Sequence, residues 1–291
     1  MNSQQPGQLV WLITGTSSGF GKRLVSSVLA RGDLVIATAR DLEKLKSLHT
    51  GEEHENLRLI QLDITAGSDA IKRIVDDAVK IWGRIDVLVN NAGNGHLSFV
   101  EEATSDLFRR QFDTNVFGVM DVTLAALPYM RERRQGTVVV IGSRSVWRAD
   151  TLSGLGPYAS SKAAIHAITE GLSVELAPFN VRVLLVAPGA FQTEKIYSIP
   201  FNESNPISDY NEMRNNLISQ VAKLPGNEPG DPEKAMEVVV DVVRGEGKAK
   251  GKKWPSTLLL GSDAEATLQR KTNILKETTE EWIDVTRSVG F

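Results

Sequence analysis

The chain has 291 residues, 41% of them hydrophobic and 24% charged, a formal net charge of −3 and no cysteine, the make-up of a globular protein with one large core. Disulfides, thiol nucleophiles and cysteine-ligated metals are thereby excluded, and a mildly acidic chain has no electrostatic pull toward nucleic acid or an anionic membrane. The polar start Met1–Gln8 lacks a basic flank and an apolar run, and no stretch approaches the length of a membrane span, so a cytoplasmic protein is expected.

Short apolar runs alternate with helical patterns along the chain. Leu9–Thr14 reads as a buried strand, and Phe20, Leu24, Val25, Val28 and Leu29 then repeat at helical spacing. After the break at Arg31-Gly32-Asp33 come strands at Leu34–Thr38 and Leu57–Leu62. A helix is marked by Ile71, Ile74, Val75, Ala78 and Val79, and further strands fall at Ile85–Val89 and Thr137–Ile141 with one or two helices between them. Pro157–Leu176 is helical and Val181–Val186 is a sixth strand. Uniformly apolar strands between helices are what a parallel sheet covered on both faces requires. The expectation is a single α/β domain with a doubly wound, Rossmann-type parallel sheet. Its core spans 9–193. An irregular stretch, 194–232, is expected to be a lid over the ligand crevice. A helix at Pro232–Arg244, a strand at Thr257–Leu260 and a helix at Asp263–Arg287 complete a C-terminal extension, 232–291.

The first strand leads into Gly15-Thr16-Ser17-Ser18-Gly19-Phe20-Gly21 and then a helix. Glycines let a backbone turn sharply against a pyrophosphate, and a helix N-terminus offers unpaired N–H groups and positive dipole to it. The spacing is not that of a Walker loop, because the four residues between glycines are absent and Arg23 stands at the Ser/Thr position.

The glycine spacing, Asn90-Asn91-Ala92-Gly93 after the fourth strand, Asp63-Ile64 after the third, Asn115 in DTNVFG, Tyr158-Ala159-Ser160-Ser161-Lys162, and Pro188-Gly189 followed by Thr193 together resemble the short-chain dehydrogenase/reductase superfamily over residues 9–262. The tail Leu258–Ala264 with its long last helix is similar to the 17β-hydroxysteroid-dehydrogenase-like subgroup, a label of relatedness that implies no steroid. The resemblance implies a dinucleotide bound by Gly15, Thr16, Ser17, Ser18, Gly19, Phe20, Gly21, Asp63, Ile64, Asn91, Ala92, Gly93, Tyr158, Lys162, Pro188, Gly189 and Thr193. It implies that Tyr158 is the general acid/base, with Asn115 holding a proton relay to Lys162. It places an orienting serine thirteen residues before the tyrosine, which is Ser145. Ser143, two residues earlier, competes, since a continued strand would point both to one side. Family members pair into dimers or tetramers through the helices that hold Asn115 and Tyr158, so a homodimer or homotetramer is expected.

Tyr158 and Lys162 are four apart on a helix and share a face. A neighbouring ammonium is expected to lower the phenol's pKa, so that Tyr158 can give a proton to a carbonyl oxygen or take one from an alcohol. The second strand ends Thr38-Ala39-Arg40, with Ala39 where NAD enzymes place an acid and with Arg40 suited to a 2′-phosphate. NADP(H) is the expected cofactor, with NAD(H) the alternative; Asp41 and Asp33 are the residues that argue against it. His96, Trp147, Phe191 and Tyr197, with Ser145, are candidates to line an apolar or aromatic carbonyl pocket, and Arg144 and Arg148 are candidates for an acidic substrate. The four histidines show no metal-ligand spacing. The function expected is interconversion of a ketone or aldehyde with an alcohol. The rivals are a redox-inert dinucleotide sensor or scaffold, and another reaction in the same site, such as C=C reduction, dehydration or epimerisation.

Overall fold

A computed structural model describes residues 7–48, 55–194 and 199–291. Seven strands, β1 (Val10–Ile13), β2 (Leu34–Ala39), β3 (Leu57–Gln61), β4 (Val87–Asn90), β5 (Gly136–Ile141), β6 (Val181–Pro188) and β7 (Thr257–Leu260), form one parallel sheet in the order β3-β2-β1-β4-β5-β6-β7. Strand order reverses between β1 and β4, and the crevice for ligands in such sheets opens at the carboxyl ends beside that reversal.

Side chains that alternate along the strands feed two separate cores. Val10 and Leu12 of β1 face one layer with Ile71, Val75, Val122 and Met130, from α3 (Ser68–Trp82) and α5 (Gly118–Arg133). Ile165 of α6 (Gly156–Leu176) joins that layer. Trp11 and Ile13 face the other layer with Leu24 and Val28 of α1 (Gly19–Leu29) and Met236, Val239 and Val240 of α8 (Pro232–Arg244). Each such side chain contributes about 1.5–3 kcal/mol when fully buried, so both faces of the sheet must stay covered. The edge strand β3 is correspondingly less buried than the central ones. Helix α8 shows local signals agreeing with packing. Asp231 accepts from Glu233 N–H and Lys234 N–H at its start, Pro232 occupies the first turn, and Gly245 ends it at φ 67°.

The expected fold is the observed one, with two additions. A helix α2 (Leu42–Leu48) follows β2, and the 194–232 stretch holds a helix α7 (Asn211–Val221), where the sequence suggested irregular chain. Between β4 and β5, α4 (Ser105–Phe112) runs through a π-helical turn, Asp113–Phe117, into α5. The chain ends in α9 (Ser262–Glu281) and α10 (Ile283–Arg287). Among the described residues, no helix is long and apolar enough to cross a membrane.

Candidate active site

The glycine turn joins β1 to α1, and its tightness is measurable. Gly15 sits at φ 69°, and a Cβ there would lie 2.8 Å from Ala92 Cα. A Cβ on Gly21 would fall 2.4 Å from Gly15 O and 2.5 Å from Asn91 Nδ2. Both positions therefore require glycine. Thr14 ties this turn to the segment after β4: its hydroxyl accepts Asn91 N–H and Ala92 N–H, each at 3.0 Å. Asn91 Nδ2 donates to Thr14 O (2.9 Å) and Gly15 O (3.0 Å).

The cradle attracts an anion in this structure. Gly19, the first residue of α1, donates its N–H to Glu194 Oε2 at 2.8 Å, and Arg23 pairs with the same carboxylate at 3.0 Å. Partial burial works against the charge. Hydrogen bonds from its own and Gly19's backbone N–H and from Arg23 nevertheless hold Glu194 below the usual carboxylate range. A carboxylate of the chain thus stands where a helix N-terminus would take a phosphate. Thr193 lies beside it, with its Cβ 3.8 Å from where a Gly19 Cβ would be. Sequence reasoning stopped at Thr193 and missed Glu194. The donor set and the glycine-only turn both fit a dinucleotide pyrophosphate.

At the far end of β2, Arg40 is exposed, and Gln61 Nε2 donates to its carbonyl at 2.8 Å. The two acids that argued against a 2′-phosphate are engaged elsewhere. Asp41 Oδ1 accepts Lys44 N–H in the first turn of α2 (3.0 Å). Asp33 precedes β2, at the opposite end of the sheet from the glycine turn, and pairs with Arg244 at 2.7 Å while accepting Trp11 Nε1–H. Asp63 Oδ1 accepts the N–H and hydroxyl of Thr65, and Ile64 is buried.

Tyr158 and Lys162 stand one turn apart on α6, against the carboxyl end of β5. The serine that meets the Tyr158 hydroxyl is Ser143, not Ser145. The strand does not continue to Ser145: after Ser143 the chain tightens into a 3-10 turn, Arg144–Trp147. Ser143 caps that turn, its hydroxyl accepting Ser145 N–H at 3.1 Å. The turn makes Ser145 a backbone donor to Ser143 and leaves Ser143, fifteen residues before the tyrosine, as the serine beside the Tyr158 hydroxyl.

The electrostatics also differ from expectation. Burial pushes the Tyr158 phenol above its ordinary value, with only the Ser143 hydrogen bond pulling it down. Lys162 does not acidify it here; its Nζ donates to Ile141 O at 2.7 Å, and burial lowers its own pKa to about 8. Tyr158 therefore rests as a neutral phenol, a proton donor. The Tyr158 ring packs on Gly95, where a Cβ would come within 3.2 Å.

Asn115 is fully buried in the π-helical turn, a distortion frequent at functional sites. Its Oδ1 accepts Asn94 N–H (3.0 Å), and its Nδ2 donates to Asn94 O (2.9 Å) and Ser161 Oγ (3.0 Å). The side chain expected to serve a relay thus locks the Asn94–Gly95 strip to α6. Its Oδ1 and Lys162 Nζ flank Gly93, lying 3.2 and 3.5 Å from where a Cβ would sit. His96 is partly buried beside Arg110, and both burial and that charge lower its pKa.

Of two expected substrate contacts, Phe191 belongs to the protein interior and Trp147 is half-buried. Phe191 is buried, edge-on to Phe20 at 5.2 Å, in the core layer of α1 and α8. Trp147 stacks edge-on against His166 at 5.5 Å, and its carbonyl accepts from Arg270 of α9. Arg144, considered for an acidic substrate, is paired with Asp263 at 2.6 Å. That carboxylate also accepts Ala190 N–H. Ile196 and Tyr197 lie outside the described residues. The segment after Pro200 is docked by the buried pair Glu102–Arg214, by Asn202 N–H to Leu97 O (2.8 Å), and by Phe99 edge-on to Phe201.

Residues 9–200 match the family model for short chain dehydrogenases. The chain is a short-chain dehydrogenase/reductase. As a member of that family it is an NAD(P)-dependent oxidoreductase. This dehydrogenase is 36% identical over 236 residues to an uncharacterized oxidoreductase of Bacillus subtilis, covering 78% of this chain and 82% of that one. It is 31% identical over 276 residues to an oxidoreductase of Botryotinia fuckeliana, covering 94% and 96%. A short-chain dehydrogenase structure from Streptomyces avermitilis superposes with a TM-score of 0.84 at 36% identity, over 98% of this chain and 100% of that one. The NADP-bound structure of ElxO superposes at a TM-score of 0.70 with 26% identity, over 89% and 99%.

Proposed function

We propose that this dehydrogenase is an NADPH-dependent reductase of ketones or aldehydes. The observation that carries the reading is a neutral Tyr158 hydroxyl beside Ser143, one helical turn from Lys162, beside a glycine-only anion cradle. Arg40 at the end of β2, with Ala39 rather than an acid before it, supports a 2′-phosphate, and an NADP-bound relative at 26% identity agrees.

The bound nicotinamide supplies the hydride. The rest is work for the chain. The Ser143 and Tyr158 hydroxyls hold the substrate oxygen, and Tyr158 O–H gives it a proton as negative charge develops there. The raised phenol pKa keeps that proton in place at neutral pH. Lys162, largely protonated below pH 8, supplies a positive charge one turn from the phenolate left behind. Asn115 fixes the Gly95 strip on which the Tyr158 ring rests. Before the dinucleotide enters, Glu194 gives up Gly19 N–H.

The test is a panel of apolar and aromatic ketones and aldehydes, followed by NADPH absorbance with product identification. The expected result is alcohol formed in step with NADPH consumed. A saturated C=C bond, or tight NADPH binding without turnover on any carbonyl, would overturn the reading.

A further inference from the structure

Behind Ser143 lies a residue that carries no role so far. His166 follows Lys162 by four residues and Tyr158 by eight, so all three share one face of α6. Its imidazole is buried, and its Nε2 accepts Ser143 N–H at 3.1 Å. The sheet ladder reaches as far as Gly142, whose N–H donates to Val186 O at 2.7 Å. The next N–H, that of Ser143, goes to the imidazole instead. The approach is so close that a Cβ on Gly142 would lie 2.2 Å from His166 Nε2. Trp147, at the end of the turn that Ser143 caps, closes the other side of the ring.

We propose that His166 is a positioning residue: by accepting the Ser143 backbone N–H it fixes where the Ser143 hydroxyl meets Tyr158. The inference rests on the carbonyl-reductase reading above. Three contacts converge on one purpose. Glycine at 142 makes room for the ring, the ring takes the N–H of the residue bearing the working hydroxyl, and Trp147 holds the ring's orientation. An imidazole can accept at Nε2 only while that nitrogen carries no proton. Burial, with the Lys162 charge second, lowers the His166 pKa to about 4, so the acceptor form persists throughout the neutral range. Without the acceptor, Ser143 N–H is a buried donor with nothing to bind, and the 3-10 turn must shift to find it water or a new partner.

Three variants test this on the whole enzyme with NADPH and the carbonyl turned over fastest by the wild type. His166→Leu removes the acceptor at similar bulk, His166→Gln restores one, and Gly142→Ala displaces the ring while leaving histidine in place. His166→Leu and Gly142→Ala are expected to lower kcat on the order of 100-fold, the scale of a misplaced reacting group, with carbonyl KM and NADPH Kd changed less than about three-fold. His166→Gln should recover most of the loss. Should His166→Leu fail to fold, the comparison of Gly142→Ala with His166→Gln decides. An active wild type with a fully active His166→Leu, or with His166→Gln as impaired as His166→Leu, overturns the inference alone. A wild type inactive on every carbonyl sinks the reductase reading itself.

Discussion

The two walls of the crevice are held by different kinds of contact. On the cofactor side, short neutral side chains tie into neighbouring backbone: the Thr14 hydroxyl accepts Asn91 N–H and Ala92 N–H, Asn91 Nδ2 donates to Gly15 O, and Thr16 N–H donates to Thr38 O beside them. These join the glycine turn after β1 to its two neighbours in the sheet, β4 across the reversal of strand order and β2 on the other side. On the substrate side, charged side chains reach across the chain. Arg144 is held by Asp263, Trp147 O and Asp150 by Arg270, and Glu102 by Arg214. A wall of glycine and backbone held by short, neutral, local contacts keeps one shape, which suits a ligand common to many enzymes. A wall braced by distant ion pairs can change shape through residues anywhere in the chain, which suits a substrate particular to one.

If that contrast holds, substitutions on the two sides should separate turnover from cofactor binding. Among substitutions on the two walls the largest effect is expected at Ser143→Ala, which removes a hydroxyl from the developing charge and should cost turnover on the order of 100-fold or more. Ser145→Ala should stay within about three-fold, because Ser145 contributes its backbone N–H to Ser143, which alanine keeps. Steady-state kinetics of the pair decides between them, and equal losses would return the orienting role to both. Gly21→Ala comes next. A methyl group there meets Gly15 O and Asn91 Nδ2, and overpacking of about 1–3 kcal/mol predicts NADPH binding weaker by about 10- to 100-fold in a fluorescence titration. Arg40→Ala should weaken NADPH about ten-fold and leave NADH unchanged, as loss of one exposed charge-assisted contact implies. Unchanged NADPH affinity would remove the case for a 2′-phosphate site.

The smallest effect on function is a pH dependence of stability. Lys162 titrates at about 8 in the folded chain and near its usual 10.5 when unfolded. Between those values the unfolded state holds a proton that the folded state has lost, so stability contributed by this group rises with pH across that window. Denaturant midpoints of the cofactor-free protein should show that component, and Lys162→Met should lack it.

What the sequence made legible follows the same division. Strands β1 to β7, the glycine turn and the Tyr158–Lys162 pair are local patterns, and each lies where the pattern put it. Helices α2 and α7 were hidden because they bury little: α7 buries Arg214 and Leu217, which give no apolar period. Ser143 lost to Ser145 because a fixed spacing cannot register a turn two residues longer. Phe191 read as a pocket wall because an aromatic after a strand end gives no sign of which layer it enters; Phe20 draws it into the core. Glu194 at the cradle and Asp263 at Arg144 are partners brought together only by the fold. His166 was within reach, since its position four residues past Lys162 repeats the spacing that singled out Lys162.

The most direct measurement is Tyr158→Phe, assayed for carbonyl reduction and for NADPH binding on the same preparation. General acid catalysis by a positioned side chain contributes on the order of 100- to 10,000-fold. The account predicts a loss of that size with NADPH affinity close to wild type. Turnover that survives the loss of the hydroxyl would contradict it.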